Sequence, residues 1–328
     1  MNELVMAAFA AETGTHVVAV PRQARFTAFR RRFDRRAYVE SLAARGLRFL
    51  ARSEPSFPPL LRAIHDPPVG LFLRAGAAPE LLSRPAVAIV GARACSPYGS
   101  QVARMLGREL AAAGLVVVSG LARGVDGEAH RGALEAGGVT VGVLGCGIDR
   151  DYPAAHRELA RRIGESGLVV SEYAPGVEPA PWRFPARNRI IAGLAAATVV
   201  VEAREASGAL ITTDLALEEG REVFACPGEI TSALSAGSNA LLRLGATPLT
   251  SARDVLESFG IEETAPQQVE LAGPAQAVLQ RLRDAAGSAD ELARATELDA
   301  AELAVALSEL ELAGLAVQAD GVYRAVSH

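Results

Sequence analysis

Residues 86–92 read Ala-Val-Ala-Ile-Val-Gly-Ala, a continuous apolar run that reaches a glycine near its end. A run without polar interruption is typical of a strand that is buried on both faces of a sheet. Residues 101–113 follow with helical spacing, since Val102, Met105 and Leu106 fall on one side of a helix. The stretch therefore predicts a buried strand followed by an amphipathic helix, the first unit of a parallel α/β sheet.

The same alternation continues as far as residue 225. Further strands are predicted at residues 115–119, 139–144, 168–172, 198–202 and 222–225, and helices at 124–136, within 154–163, at 188–194 and at 209–219. Short apolar strands that alternate with helices predict a doubly wound, mostly parallel sheet. Ligands of such sheets bind at the carboxyl ends of the strands, and we therefore look for the site there.

The C-terminal segment has a different pattern. Ser288-x-x-Glu291 predicts a capping box at the start of the second of three helices. Apolar runs on either side of Asp320-Gly321 predict a hairpin, and three helices with a hairpin indicate a winged-helix-like domain. The predicted domains are, in chain order, a helical basic domain at 1–60, an α/β domain at 61–261, a linker at 262–273 and the winged-helix-like domain at 274–328.

The basic N-terminal segment allows two interpretations. Phe26, Phe29 and Phe33 have helical spacing and are surrounded by arginines. Basic residues interleaved with aromatic ones could form a nucleic-acid surface. A solvated arginine face over a phenylalanine core explains the same pattern, and we expect the phenylalanines to be core. The arginines remain open to either interpretation.

Charge composition excludes several classes of enzyme. The chain of 328 residues has no lysine, so all 33 basic residues are arginine. Without lysine there is no P-loop lysine, no Schiff base and no pyridoxal anchor. The net charge of −5 is unevenly distributed, because residues 1–62 have 11 arginines against five acids, whereas residues 254–328 have four against 14. This asymmetry suggests segments with different partners.

Other compositional features suggest a protein of the reducing cytosol. The longest apolar run, residues 190–201, is shorter than the roughly 18 residues of a membrane-spanning helix. The first residues include Glu3 and no basic stretch, so a secretory signal is not expected. Three cysteines without C-x-x-C spacing predict neither a disulfide framework nor a structural zinc site.

Each predicted strand is followed by a loop rich in glycine, small hydroxyl residues and arginine. Glycine permits a sharp turn, the following helix offers backbone N–H groups to an anion, and arginine suits phosphate. Five such loops at one sheet edge exceed the needs of a mononucleotide and describe an elongated anion such as a nucleic-acid backbone. The loops contribute these candidate DNA-binding residues: Gly91, Arg93, Ser96, Tyr98, Ser119, Gly120, Arg123, Gly124, Tyr152, His156, Arg187, Asn188, Arg189, Ser207, Gly208 and Thr212.

Familiar catalytic signatures are missing from the sequence. The first loop is not G-x-G-x-x-G, no G-x-S-x-G elbow exists, and no two histidines are four residues apart. His130 could act as a base, but we expect a packed or capping histidine. Cys146 and Cys226 are expected to be small core residues. The sequence therefore predicts neither a catalytic residue nor a cofactor or metal.

Six segments of the chain, in consistent order within residues 57–259, resemble the DNA-processing protein A (DprA/Smf) family. They are VGARACSPYG, SGLARGVDGEAHRGAL, GCGIDRDYPAAH, FPARNRIIAGLA, VVEAREASGALITTDLALEEGREVFACPG and GSNALLRLGA. The resemblance implies an extended Rossmann-like fold that dimerises, binds and protects single-stranded DNA, and loads the RecA recombinase in natural transformation, repair and recombination. Single-stranded DNA-binding protein is a further implied partner. The family's DNA-gripping positions match Arg93, Ser96, Ser119, Gly120, Arg123, Arg187 and Asn188, together with Tyr152 and His156.

The sequence departs from this family at three places. Ala154 and Ala155 stand where some relatives have a basic residue after Tyr-Pro, although Arg157 is near. The glycine-marked hairpin of the sterile-alpha-motif-like N-terminal domain is not evident, so that domain is divergent. The third helix of the winged-helix-like domain has Asp299, Glu302, Glu309 and Glu311 and no arginine. A helix that reads duplex DNA needs cations near phosphates, so we expect this domain to contact protein instead.

Two other functions fit the same α/β scaffold. One is a nucleotide-processing hydrolase similar to the phosphoribohydrolases, which have Gly-Gly-x-Gly-Thr before a catalytic glutamate. Ser207-Gly208 is the nearest match, and Glu202 or Glu205 would have to serve as the glutamate. The other is a purely structural scaffold, which the arginine and hydroxyl chemistry of the five loops disfavours. Single-stranded DNA binding without covalent chemistry remains the leading interpretation.

Overall fold

The computed structural model describes residues 3–15, 17–74, 76–261, 271, 273–319 and 321–325. The chain forms two compact units, Met1–Glu262 and Glu263–His328. The predicted linker lies almost wholly outside the described residues, as does Asp320 of the predicted hairpin. The division of the first unit into domains at 1–60 and 61–261 stays a prediction. No helix among the described residues is long and apolar enough to cross a membrane.

One sheet organises the described part of the first unit. Its strands are β1 (Leu47–Ala51), β2 (Gly70–Arg74), β3 (Ala86–Val90), β4 (Val116–Ser119), β5 (Thr140–Leu144), β6 (Leu168–Ser171), β7 (Ala197–Val200), β8 (Glu222–Ala225) and β9 (Thr247–Pro248). The strands lie in the order β1-β2-β6-β5-β4-β3-β7-β8-β9. All neighbours from β6 to β9 pair in parallel, whereas β1 and β2 add an antiparallel extension beside β6. The predicted doubly wound, mostly parallel sheet is confirmed.

Helices precede the sheet and connect its strands. They are α1 (Glu3–Thr13), α2 (Ala24–Arg32), α3 (Arg35–Ala43), α4 (Pro59–Arg62), α5 (Pro97–Ala112), α6 (Val125–Glu135), α7 (Arg157–Ser166), α8 (Arg183–Leu194), α9 (Gly208–Glu218), α10 (Ala236–Arg243) and α11 (Ala252–Ser258). Helix α8 begins five residues before its predicted start at Asn188. Arg187 and its neighbours are therefore helical residues rather than loop residues, and this corrects the sequence-based prediction.

The central strands are buried on both faces, as their apolar sequences predict. Every residue of β3 is buried, and so is every residue of β5. Helix α8 is buried around most of its circumference, with Ile190 and Ile191 in the core. The polar side chains of a helix without a wide solvated face cannot extend into water. They must therefore form hydrogen bonds or ion pairs inside the protein.

The N-terminal helices bury their aromatic residues. Phe26 and Phe29 pack edge-on against Phe9, with ring centroids 5.5 and 5.2 Å apart. The neighbouring arginines, among them Arg30 and Arg31, are exposed. The expectation that these phenylalanines form the core face of the helix is confirmed, because aromatic rings in contact at this distance exclude water from one another.

The second unit has the elements of a winged helix. They are α12 (Pro274–Asp284), α13 (Ala289–Thr296), α14 (Ala300–Leu312), β10 (Gly287–Ser288), β11 (Ala316–Ala319) and β12 (Val322–Ala325). The capping box predicted at Ser288 is present, since its N–H donates to Glu291 Oε2 over 2.8 Å and its hydroxyl accepts from the Glu291 N–H. The strands β11 and β12 form the predicted hairpin, and β10 adds a third strand beside β12.

Candidate nucleic-acid interface

The sheet has a topological switch point between β3 and β7. The chain adds β4, β5 and β6 in turn on one side of β3, then crosses back through α8 to place β7 on the other side. The loops after β3 and β7 therefore diverge at the carboxyl edge and leave a crevice between them. This crevice is a cavity of about 450 Å³, lined by Gly91–Arg93, by Arg204, by Ala206–Ala209 and by the start of α8. We call it the switch-point cavity.

A second cavity lies along the same edge, beside the ends of β4 and β5. Its volume is about 380 Å³, and its lining includes Gly120, Arg123, Gly145 and Tyr152. We call it the tyrosine cavity. The two cavities share four lining residues, namely Arg93, Ala122, Phe184 and Arg187. Together they form one continuous depression across the strand ends, which we call the edge groove.

Three exposed arginines border the edge groove. Arg93 and Arg204 line the switch-point cavity, and Arg123 lines the tyrosine cavity. Within the described part of the chain, none of these guanidinium groups forms a salt bridge. Arg93 lies over the ring of Phe184, with 5.5 Å between its guanidinium carbon and the ring centroid. The groove therefore presents cationic groups to solvent, as a binding site for an anionic backbone requires.

Aromatic rings form part of the wall of the tyrosine cavity. Tyr152 is 46% exposed and stacks on Phe184, with centroids 5.3 Å apart and the ring planes at 30°. The sequence-based candidates included Tyr152 but neither Phe184 nor Arg204. The sequence offers a signal for each of them. Arg204 lies in the loop after β7, and Phe184 stands at the start of the crossover helix α8. Both lie in segments that already supplied other candidates.

The guanidinium group of Arg187 forms its hydrogen bonds with the protein backbone. It is 4% exposed, and its guanidinium donates to the carbonyl oxygens of Gly120, over 2.7 Å, and of Val143. These carbonyls terminate β4 and β5, so the side chain joins the two strand ends where they diverge. Burial lowers the pKa of Arg187 to about 10, and the charge of Asp126 opposes that shift. Burial likewise raises the pKa of Asp126, against the charge of Arg187.

The neighbours of Arg187 are also occupied. Arg189 forms a buried bidentate ion pair with Glu172, at 2.6 and 3.0 Å, and a further one with Asp66 at 3.0 Å. Asn188 donates to the carbonyl oxygen of Gly208 over 3.1 Å. Arg189 is absent from the described linings of both cavities. These contacts connect α8 to surrounding segments and shape the groove from within.

The loop after β4 is held by small residues and by His156. A Cβ on Gly120 would lie 2.5 Å from Arg187 Nη2, so only glycine fits there. Ser119 is fully buried and donates to the carbonyl oxygen of Ile89. His156 is buried, and its Nδ1 donates to the carbonyl oxygen of Leu121 over 2.9 Å. Gly124 has a φ of 73°, in the region that favours glycine. These candidates shape the loop that presents Arg123.

The N-terminus of α5 is occupied by a carboxylate of the protein itself. The sequence suggested that its backbone N–H groups are open to an anionic ligand. Instead, Glu202 Oε2 accepts from the Ser96 N–H over 2.9 Å, and Oε1 accepts from the Ser96 hydroxyl over 2.5 Å. The Ser96 oxygen in turn accepts from the Gly99 N–H over 3.0 Å. That expectation for α5 is therefore wrong, because Glu202, two residues after the end of β7, supplies the anion.

The remaining candidates lie at or beside the switch-point cavity. Ser207, Gly208 and Thr212 line it, and Ser207 caps α9 by accepting from the Ala209 N–H over 3.2 Å. Tyr98 is 52% exposed, and its hydroxyl lies 3.4 Å from the carbonyl oxygen of Pro227. Tyr98 is not among the described lining of either cavity.

The candidate catalytic groups are buried. His130 is fully buried, and its Nδ1 lies 2.6 Å from Thr140 Oγ1. That hydroxyl donates to the carbonyl oxygen of Val117, so Nδ1 of His130 must be the donor. Burial lowers its pKa to about 3. Burial also raises the pKa of Cys146 to about 11 and that of Cys226 to about 12, as expected of core thiols. No cluster of metal ligands occurs among the described residues.

Comparisons with known protein families place the whole chain beside DNA-processing proteins. The sequence profile described as DNA recombination-mediator protein A matches residues 48–260, and the profile described as DprA winged helix domain matches residues 262–321. The chain is 40% identical over 323 residues to a putative DNA processing protein DprA of Mycobacterium tuberculosis, which spans 92% of this chain and 83% of that protein.

Solved structures give the same result. The structure of DNA processing protein A from Streptococcus pneumoniae superposes with a TM-score of 0.67 at 38% identity, over 78% of this chain and 93% of that one. A structure that describes the single-stranded DNA binding mode of DNA processing protein A from Helicobacter pylori superposes with a TM-score of 0.58 at 31% identity, over 65% of this chain and 95% of that one.

Proposed function

Since the chain belongs to the DNA recombination-mediator protein A family, also called DprA or Smf, we propose that it binds single-stranded DNA in the edge groove. The observation that carries this proposal is the continuity of the two cavities beneath three exposed arginines. A mononucleotide would need one cavity, whereas a strand needs a path with phosphate contacts at intervals along it.

Two sets of groove residues would contact different parts of a DNA strand. We assign phosphate contacts to Arg93, Arg123 and Arg204, whose guanidinium groups face solvent. We assign base stacking to the exposed ring of Tyr152 supported by Phe184, because every base has a π-face and such contacts tolerate any sequence. Gly91, Gly124, Ser207, Gly208 and Thr212 shape the backbone around these groups.

The buried candidates act through the shape of the groove. Arg187, Asn188 and Arg189 hold the strand ends and α8 in place through the contacts described above, and Ser119, Gly120 and His156 do the same for the Arg123 loop. Ser96 belongs to the Arg93 loop. Tyr98 is exposed and lies outside the described lining of the groove. Substitution of any buried member should therefore reduce stability together with affinity.

We further propose that the protein has no catalytic turnover, in contrast to the hydrolase alternative. Glu202 is 4% exposed, and both its carboxylate oxygens accept from Ser96. Glu205 is exposed but is not among the described lining of the edge groove. Incubation with nucleoside monophosphates and with labelled oligonucleotides should give no product. Product that disappears in Glu205→Gln, or in Glu202→Gln, would support the hydrolase instead.

In the cell we propose that the protein acts in the cytoplasm as a homodimer that protects incoming single strands and loads the RecA recombinase. Single-stranded DNA-binding protein is a further proposed partner. Exposed apolar side chains on α9 and after α10 support self-association, because Ile211, Leu217 and Leu244 are 40%, 54% and 85% exposed. Leu244→Glu should reduce the mass measured by light scattering from that of a dimer to that of a monomer.

Fluorescence anisotropy tests the DNA-binding proposal. Labelled single-stranded and duplex oligonucleotides are titrated with the protein at several salt concentrations. Single strands should bind more tightly than duplexes. Arg93→Ala should lower the affinity for all single-stranded sequences by about the same factor. Loss of one phosphate contact should reduce the slope of log K against log salt by about 0.7. The matched control is Arg84→Ala, an exposed arginine just before β3 at the opposite edge of the sheet. Equal loss in both variants would contradict the proposed site.

A further inference from the structure

The Arg93 loop is a short arch with both ends anchored to one residue. At its start, the Ala92 N–H donates to the backbone carbonyl of Glu202 over 2.7 Å. At its end, Ser96 donates from its N–H and from its hydroxyl to the Glu202 carboxylate. Only Arg93, Ala94 and Cys95 lie between the two anchors. A single residue after β7 therefore fixes a loop after β3 across the switch point.

The fit around the Glu202 side chain is tight. A Cβ on Gly99 would lie 2.5 Å from the carboxyl carbon of Glu202, so glycine is required where α5 approaches the carboxylate. A Cβ on Gly91 would lie 2.9 Å from the carbonyl oxygen of the same residue. The helix α5 therefore lies close to the carboxylate of Glu202, and Gly91 lies close to the backbone of the same residue.

The charge of Glu202 is stabilised without a cation. No salt bridge to it occurs among the described residues, and its donors are the N–H and the hydroxyl of Ser96, the N-cap residue of the 16-residue helix α5. The positive end of the helix dipole favours a carboxylate at this position. An anchor of this kind leaves the arginines of the groove free for an external anion, since none of them is used to neutralise it.

We propose that Glu202 is a positioning residue for DNA binding, which acts by holding Arg93 over Phe184 at the boundary of the two cavities. The inference rests on the proposed function, because it assigns to Glu202 a role in the same groove. Its side chain provides only the anchor at Ser96, while its backbone provides the one at Ala92. Replacement of the side chain therefore releases one end of the arch and leaves the other in place.

A double-mutant cycle tests the proposal with the full chain. Arg93→Ala, Glu202→Ala and the double variant are compared with wild type by anisotropy, using a labelled single-stranded oligonucleotide at several salt concentrations. Loss of one charge-assisted contact should cost Arg93→Ala about tenfold in affinity. Glu202→Ala should lose between about threefold and about tenfold, the upper limit being complete loss of that contact. It should also reduce the salt slope towards the value of Arg93→Ala, by up to about 0.7. In the Arg93→Ala background, Glu202→Ala should cost less than about twofold, because additivity fails for residues that act together.

Two further measurements separate positioning from folding. Hydrogen exchange of the free protein should show faster exchange at the Ser96 and Gly99 amides in Glu202→Ala, with unchanged exchange in the central strands. Glu202→Gln retains a carbonyl acceptor for the Ser96 N–H and should recover part of the affinity. The matched control is Glu205→Ala, an exposed acid in the same loop, which should not reduce affinity.

Each outcome decides one question. If wild type binds single strands and Glu202→Ala lowers affinity equally in both backgrounds, the residue acts on the fold as a whole and the proposal is wrong. Unchanged affinity in a folded Glu202→Ala also overturns it. If wild type does not bind single strands, the proposed function itself fails, and the hydrogen-exchange result still decides whether Glu202 anchors the loop.

Discussion

Replacement of Arg187 by methionine should destabilise the first unit strongly. Methionine keeps an unbranched apolar chain of comparable length but removes the donors to the carbonyl oxygens of Gly120 and Val143. It also removes the positive charge that most favours ionisation of the buried Asp126. Leaving a buried charge without the opposite charge near it can cost up to about 3–5 kcal/mol of unfolding free energy, the range for a broken buried ion pair. A domain is stable by only about 5–15 kcal/mol, so the variant should lose a large fraction of that total.

The pH dependence identifies the cause. Burial raises the pKa of Asp126 above its ordinary value of 3.8, and without Arg187 the pKa should rise further. A folded carboxyl with a raised pKa contributes stability that is present below the unfolded pKa and is lost as the pH rises through the folded pKa. The penalty of Arg187→Met should therefore be smaller near pH 4 than at pH 7. Asp126→Asn in the Arg187→Met background should recover part of the loss at pH 7.

Urea unfolding followed by circular dichroism at several pH values measures these differences. Arg93→Ala is the control, because Arg93 is exposed and should change stability little while it weakens DNA binding. A loss below about 1 kcal/mol for Arg187→Met, which is the average loss for point substitutions in general, would refute the reasoning. Strict additivity of the Asp126 and Arg187 substitutions would refute the proposed coupling.

Three further predictions concern the groove, the second unit and the core. Tyr152→Ala should weaken single-strand binding by about 1–3 kcal/mol in anisotropy titrations, whereas Tyr152→Phe should bind nearly as well as wild type. A chain that ends at Gly260 should keep most of its single-strand affinity, and the isolated second unit should show no gel shift. The reason is that residues 254–328 have 14 acids against four arginines and repel phosphates. Loss of affinity in a folded, dimeric truncation would contradict this. Because the pKa of His130 is lowered to about 3, its contribution to stability is present above the unfolded value of 6.5 and is lost as the pH falls. Wild type should therefore lose up to about 1.4 kcal/mol per pH unit below 6.5 relative to His130→Gln, and parallel stability profiles would rule this out.

Local patterns predicted the sheet well because the relevant forces are local. Apolar runs bounded by glycine identify strands such as β3 and β5, and all five of the strands predicted after β3 are present. The antiparallel pair β1 and β2 escaped prediction, since β1 is an edge strand without clear alternation between faces and β2 was not recognised without it. Edge strands are specified by their partner, which a local pattern does not reveal.

The site was harder to predict because charge alone does not distinguish an arginine that binds a ligand from one that binds the protein. Arg93 and Arg187 both occur in motifs of the same appearance, yet one is exposed and the other joins two strand ends. The distinction depends on where α8 begins, and its start at Arg183 places Arg187 inside the protein. Glu202 was likewise identified as chemically interesting, but its contact with Ser96 spans 106 residues of sequence.

The separation of buried from exposed arginines has an evolutionary consequence. Arg187 and Arg189 each bind several partners inside the protein. Their substitution would therefore lower the stability of the fold as well as any affinity for a ligand. Arg123 and Arg204 face solvent without salt bridges to described residues and can be exchanged one at a time at little cost to folding. Each exchange would change the salt slope by about 0.7. If the groove binds DNA as proposed, a lineage exposed to a different ionic strength can therefore adjust its affinity in small steps, with the architecture of the groove unchanged.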